Sequence, residues 1–287
     1  MPLLVCANVH SNPTLALTPG SATIEPGKTY SFTATVTKQG GGAPSKSVPV
    51  SVKVEVDPTS GGHDHGETYA KRDKGTVSPA TGTNSFPITF SSTEVSGTHT
   101  ITATCDLCSN NTETATVNVK VEGLSQILGS VYYSLTEDGS TTVVGDNGNH
   151  LGNHYLTGDA SIQLWRLAAS FYNYQIRKGV AKPTLLHLND ASLKWGGLFD
   201  RDGDWDTPHV RHRKGVVIDI RANTTAGNIP ESMFNDFEQL ADETKLADGT
   251  TAANAELHCS RGRNPSVDNC VGDINRHYHV LLLGVDQ

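Results

Sequence analysis

The texture of the sequence breaks after Gly123. Before the break, short runs rich in Thr, Val and Ser recur at residues 30–36, 48–56, 85–91, 98–104 and 114–121, with turn residues such as Pro26-Gly27-Lys28 and Gln39-Gly40-Gly41-Gly42 between them. Alternate side chains of an extended chain point to opposite faces, so evenly spaced alternating runs with no helical period predict an all-β sandwich over residues 1–123. Beyond the break the repeat stops, and all three Trp and eight of the twelve His lie there. A second domain over 124–287 follows, since 287 residues suffice for two separate cores.

The second domain reads as α+β. Residues 124–149 suggest a strand segment and then a polar loop, Gly145-Asp146-Asn147-Gly148-Asn149. From Gly158 to Arg177, residues Ile162, Trp165, Leu167, Ala168, Phe171, Tyr172 and Ile176 recur mostly at spacings of three and four. That period predicts a helix with one apolar core face, Asp159 complementing its N-terminus and Gly179 ending it. A second helix is expected from 230 or 231 to about 246, with Met233, Phe237 and Leu240 inward and Ser232, Asp236, Glu238 and Glu243 on the solvated side.

Two pieces of this domain carry chemistry. His212 is followed after six residues by Asp219, and His277-Tyr278-His279 comes near the C-terminus. Residues 214–220 have the alternation of a strand, with Val216, Ile218 and Ile220 on one face and Asp219 on the other; Gly215 lets the chain bend so that His212 folds back toward Asp219. In a strand over 276–284, His277 and His279 share a face and Tyr278 takes the other. Two imidazoles and a carboxylate suit a divalent metal, and three protein ligands with an open position is the catalytic rather than the structural zinc arrangement. Each histidine alone is more often an ordinary surface or core residue; the joint spacing points further.

At these residues the chain resembles the LAS metallopeptidases (lysostaphin, D-alanyl-D-alanine peptidase and hedgehog type), and within them the penicillin-insensitive murein endopeptidases. The likeness runs from about residue 187 to 280 and includes the lead-in Ser192-Leu193-Lys194-Trp195-Gly196-Gly197-Leu198-Phe199-Asp200. It implies an α+β metallopeptidase-like domain with its ligands on an antiparallel sheet, Zn2+ held by His212, Asp219 and His279, and His277 as the catalytic histidine. Where many D-alanyl-D-alanine peptidases place a Glu three residues before the last ligand, this chain has Arg276; where relatives often have a Ser just before the first ligand, it has Val210 and Arg211. Arg211 stands with Trp195 and Trp205 as a candidate substrate-binding residue, although buried packing is the commoner role for either Trp alone. The first domain is similar to bacterial immunoglobulin-like modules, which serve as spacers and adhesive units.

The remaining features bound the environment. Cys105-Asp106-Leu107-Cys108 has no βαβ context and no second Cys-x-x-Cys, so two local disulfides, Cys105 to Cys108 and Cys259 to Cys270, are expected, with Cys6 left over. That pairing implies a secreted or periplasmic protein. The start is too short for a full secretory signal, and Val5 is a poor fit before a lipidated cysteine, so no lipid anchor at Cys6 is expected. No apolar run is long enough for a transmembrane helix, and a net charge of -8 without a basic cluster argues against nucleic acid. The acids of 200–206 miss the Gly and Glu positions of an EF-hand loop. Gly61-Gly62-His63-Asp64-His65-Gly66 reads as a mobile loop rather than a second metal site. The expected function is a secreted zinc-dependent peptidase acting on cell-wall peptidoglycan peptides. The alternative is a non-catalytic surface-binding or adhesion protein with a structural or vestigial metal site.

Overall fold

A computed structural model of the chain describes residues 12–62, 64–135, 152–198, 209–222, 228–246, 249, 253–259, 262–263 and 276–283. Contacts divide it into two compact units, one of Met1–Pro58 and His65–Val119, the other of Thr59–Asp64 and Lys120–Gln287. Strands dominate, with few helices among the described residues.

The first unit holds β1 (Thr14–Thr18), β2 (Ser21–Ile24), β3 (Thr29–Thr37), β4 (Pro49–Val56), α1 (Gly66–Asp73), β5 (Thr76–Ser78), β6 (Thr81–Thr83), β7 (Ser85–Ser91), β8 (Gly97–Thr104) and β9 (Thr112–Val119). They form two sheets, β1-β3-β7-β5 and β2-β9-β8-β4-β6. In β4, Val50, Val52, Val54 and Val56 are buried while Ser51, Lys53 and Glu55 face water, the burial pattern that alternation demands. Phe32, Ile88 and Phe90 from one sheet share a core with Ile101, Ala115 and Val117 from the other. Each of these Phe, Ile and Val side chains contributes about 1.5–3 kcal/mol on burial. Cys105 and Cys108 are disulfide-bonded just after β8.

Of the loop expected around His63 and His65, Gly61, Gly62, Asp64 and His65 lie in turn and irregular backbone, but His65 is not mobile surface. His63 lies outside the described residues, and the chain from His65 leads into α1. His65 is buried and its Nδ1 lies 2.8 Å from the Asp73 carboxylate, so the pair ties the start of the helix to its end.

The second unit contains β10 (Ser125–Gln126), β11 (Tyr133–Ser134), β12 (Tyr155–Leu156), α2 (Gly158–Arg177), β13 (Leu186–His187), β14 (Val217–Arg221), α3 (Phe234–Glu243), β15 (Asn254–Cys259), β16 (Gly262–Arg263) and β17 (His277–Leu281). Its main sheet is antiparallel in the order β14-β17-β15-β16. Ile218 and Ile220, Tyr278 and Val280, and Leu257 form the face packed with α2 and α3. The polar loop expected after residue 135 lies outside the described residues.

Helix α2 has the expected bounds but turns differently. Its core face is Leu164, Leu167, Ala168 and Phe171, whereas Ile162, Trp165 and Ile176 are about half exposed. The apolar set is wider than one stripe, and the sheet can cover only the arc centred on Leu164, Leu167 and Phe171. The N-cap is Thr157, whose side chain accepts from the Ala160 N–H, with Asp159 in the first turn. Helix α3 starts after a 3-10 turn at Glu231–Met233 and ends at Glu243, short of the expected 246. Glu238 is not purely solvated, because it accepts the Tyr278 hydroxyl at 3.0 Å.

Candidate metal centre

The first ligand piece is not strand from residue 214. His209–Lys214 is a 3-10 turn, Gly215 sits at φ +67°, and the strand begins only at Val217. A left-handed residue ends the turn and reverses the chain, so His212 folds back over β14. The Gly215 carbonyl also accepts from the Thr157 N–H at the cap of α2, and a Cβ here would clash with the Leu124 side chain.

Register does the rest. On β14 and β17, Asp219 lies opposite His279 and Arg221 opposite His277; on β15 and β17, Glu256 lies opposite His279 and His258 opposite His277. The sheet face turned away from the helices therefore carries two adjacent rows, Asp219-His279-Glu256 and Arg221-His277-His258. The apolar residues between them, Ile220, Tyr278 and Leu257, form their own row in the core.

Asp219 is the hub. Its Oδ1 lies 2.9 Å from His279 Nδ1 and 3.5 Å from His212 Nε2, and its Oδ2 lies 3.7 Å from His277 Nε2. One ligand atom from each of His212, Asp219 and His279 lies within 4.8 Å of the others, and all three residues are buried. Two ligands at 2.0–2.1 Å in a tetrahedron stand about 3.3 Å apart, close to the spacings observed. Two nitrogens and one oxygen on a buried carboxylate fit a divalent ion, and this cluster can hold one.

Electrostatics favours a charged hub. Burial pushes the Asp219 carboxyl up, but His212, His277 and His279 around it hold it well below the usual carboxylate range. Burial lowers His212, and the Asp219 charge more than reverses this, leaving it above the ordinary histidine value. The Ala191 backbone raises it further.

Three neighbours were not singled out from the sequence. Asp190 is half-buried, accepts from Asn153 and Asn189, and pairs its backbone with Asp219 through the Asp219 N–H to Asp190 carbonyl bond at 2.7 Å. Burial and the like charge of Asp219 raise its carboxyl to about 6. His258 stacks on His279 with ring centroids 5.1 Å apart and planes 11° from parallel. Burial, reinforced by His279 and His277, lowers it to about 4, so it is neutral at neutral pH. Glu256 reaches His258 Nε2 at 3.7 Å. The signal for the last two was present as Glu256-Leu257-His258, polar residues flanking one apolar residue, but nothing local told which strand it would join.

Among the other expected residues, Trp195 is half-buried in a turn whose carbonyl accepts from the Val121 N–H, and it is not among the residues that meet at Asp219. Arg211 lies in the 3-10 turn beside His212, while Trp205 and the acids of 200–206 lie outside the described residues. Arg276 is buried, bonds the Ala222 carbonyl and the Glu231 carboxylate, and lies over the Phe234 ring. It thus ties β17 to the start of α3. Cys259 is disulfide-bonded, and Cys270 lies outside the described residues.

No family model matches the sequence. No curated protein matches it either. Among solved structures, domains 4 and 5 of the S-layer protein SbsC are 21% identical over 38% of this chain and 46% of that one, with a TM-score of 0.26. Domains 5-6 of SbsC are 13% identical over 94% of this chain and 85% of that one, at 0.27. The adhesin InvE of Yersinia pseudotuberculosis is 15% identical over 43% of this chain and 30% of that one, at 0.24. The chain spans less than half of the SbsC domain 4 and 5 structure. Likeness this slight carries no argument about fold or function. Among the described residues no helix is long and apolar enough to cross a membrane.

Proposed function

We propose that the second unit is a zinc-dependent peptidase domain of the LAS type, acting outside the cytoplasm on the peptides of bacterial cell-wall peptidoglycan behind an immunoglobulin-like module. The observation that carries this reading is the buried Asp219 carboxylate, met by His212 and His279 at one oxygen and by His277 at the other. The bond at Cys105–Cys108 and the disulfide-bonded Cys259 favour an oxidising compartment.

His212, Asp219 and His279 would be the ligands. A zinc ion there supplies Lewis acidity and lowers the pKa of bound water toward ~7. The chain's own groups divide the rest of the work. His277 keeps 20% of its side chain exposed while the Asp219 beside it is closed to solvent, so His277 is the imidazole that a substrate can reach. Its Nε2 faces Oδ2 of Asp219, which leaves Nδ1 as the nitrogen that would take up a proton from water or substrate in general base catalysis. Asp190, held by two asparagines, fixes the backbone of the hub.

The test is metal analysis of protein purified without chelator, then digestion of purified sacculi with and without chelator, with fragments identified by mass. About one zinc per chain and chelator-sensitive release of peptide fragments are expected. A metal-free folded protein overturns the metal centre. Bound metal without hydrolysis of sacculi favours the alternative, a surface-binding protein with a structural ion.

A further inference from the structure

His212, Asp219 and His279 do not by themselves fix the plane of the His279 ring. The χ2 torsion of a histidine is broad and roughly two-fold, so an imidazole with one hydrogen-bonded nitrogen can still swing. In the structure the ring is wedged. The His212 ring meets it edge-on, at 5.1 Å between centroids and 87° between planes, and the His258 ring lies flat against it at 5.1 Å and 11°. The same His258 ring leans on His277 at 5.4 Å and 55°. The β15–β17 register brings His258 to this wall, as the cross-strand partner of His277 and a diagonal neighbour of His279. His258 is buried, so it is a wall and not a lip, and Glu256 stands 3.7 Å from its Nε2 on the outer side.

We infer that His258 is a positioning residue of the metal centre, acting through the flat of its ring to hold His279 in the plane that presents its nitrogen to the ion. This rests on the metal-centre reading above. The ring nitrogens of His258 do not enter the argument. Its Nε2 to Glu256 separation is longer than a hydrogen bond, whereas the stacking distance lies in the range where aromatic rings attract. The stack is therefore a matter of shape, and another flat ring serves in its place. Hydrogen-bonded partners that orient a ligating histidine typically govern metal affinity by about 10–100-fold, and a stacked ring with the same task is set at the lower end of that range.

The experiment uses the full chain with Zn2+ or Co2+ alone. Zinc affinity is measured by competition with a chromophoric chelator, and the visible spectrum of the Co2+ form reports ligand geometry. Folding of each variant is checked by circular dichroism. His258→Ala is expected to bind Zn2+ at least ~10-fold more weakly and to shift the Co2+ spectrum, while His258→Phe restores both toward wild type. Equal affinity in wild type and His258→Ala overturns the stack and leaves the metal centre standing. A His258→Phe variant that folds and is as weak as His258→Ala also overturns it, because a nitrogen and not the ring plane is then required. Wild-type protein that takes up no Zn2+ overturns both readings.

Discussion

His277 and His279 sit two residues apart on one strand face, yet they meet opposite oxygens of Asp219, Oδ2 at 3.7 Å and Oδ1 at 2.9 Å. The Oδ1 side also faces His212, at 3.5 Å from its Nε2. The two histidines should therefore fail differently. His279→Ala removes one of three ligands and is expected to strip the metal and with it any hydrolysis. His277→Ala should keep near-stoichiometric metal while lowering turnover by ~10² to 10⁴, the effect of a lost general base. Zinc per chain and sacculus digestion in the two purified variants check this. Retained zinc in His279→Ala with loss in His277→Ala reverses the assignment, and loss in both indicates a closed structural site. The two residues share an element and a face, so the difference comes from which oxygen each one reaches and from the 20% of the His277 side chain that stays open to solvent.

At the scale of elements, the approach of the 3-10 turn to β14 depends on one backbone conformation. Gly215 at φ +67° lies with its Cα–H direction against Leu124 and the backbone of Leu156 and Thr157. An L side chain pays about 1–2 kcal/mol to enter the left-handed region, before any clash is counted. Gly215→Ala is therefore expected to lower stability by at least that amount and to weaken Zn2+ binding as well, since His212 rides on the same turn. Thermal unfolding and chelator competition measure the two effects. A variant with unchanged stability and affinity shows that the turn is not what places His212. Helix α2 is a contrasting case: its bounds follow from Thr157, Asp159 and the 3.6 period, but its rotation does not, and Trp165 lies half exposed as a result.

Across the whole second unit, buried titratable groups make stability depend on pH. His154 is fully buried, and burial lowers its pKa to about 4 from the ordinary value of 6.5. A base with a depressed folded pKa takes up protons in the unfolded chain first, so its contribution is complete above pH 6.5 and is lost as pH falls toward 4. That loss amounts to about 3 kcal/mol. Asp190 acts in the opposite sense, because its folded value of about 6 lies above the ordinary 3.8. Its contribution is complete below pH 3.8 and is lost as pH rises through 6. His258, likewise lowered to about 4, acts in the same sense as His154, and Asp190 offsets about one of the two, so chelator-treated protein should lose stability between pH 6.5 and 4. His154→Gln should flatten the acid limb of a denaturation series followed over that range. An unchanged limb removes His154 as its cause.

The alternation in residues 48–56 and the 3.6 period of 158–177 are properties of consecutive residues, so the longer strands β3, β4, β7, β8 and β9 of the first unit and the bounds of α2 were legible from the chain alone. The same is true of the shared face of His277 and His279, which a period of two enforces wherever the strand goes. The partners of those side chains are another matter. Glu256 and His258 join the site only because β15 pairs with β17 in one register, and a slip of one residue would turn both into the core and expose Leu257. Asp190 enters because its backbone pairs with Asp219 along the edge of β14, and His65 is buried because α1 carries Asp73 back to it. Local periodicity sets which side chains share a face; which faces and strand edges meet is set by the burial of surfaces far apart in the chain, and that exists only once the tertiary fold does.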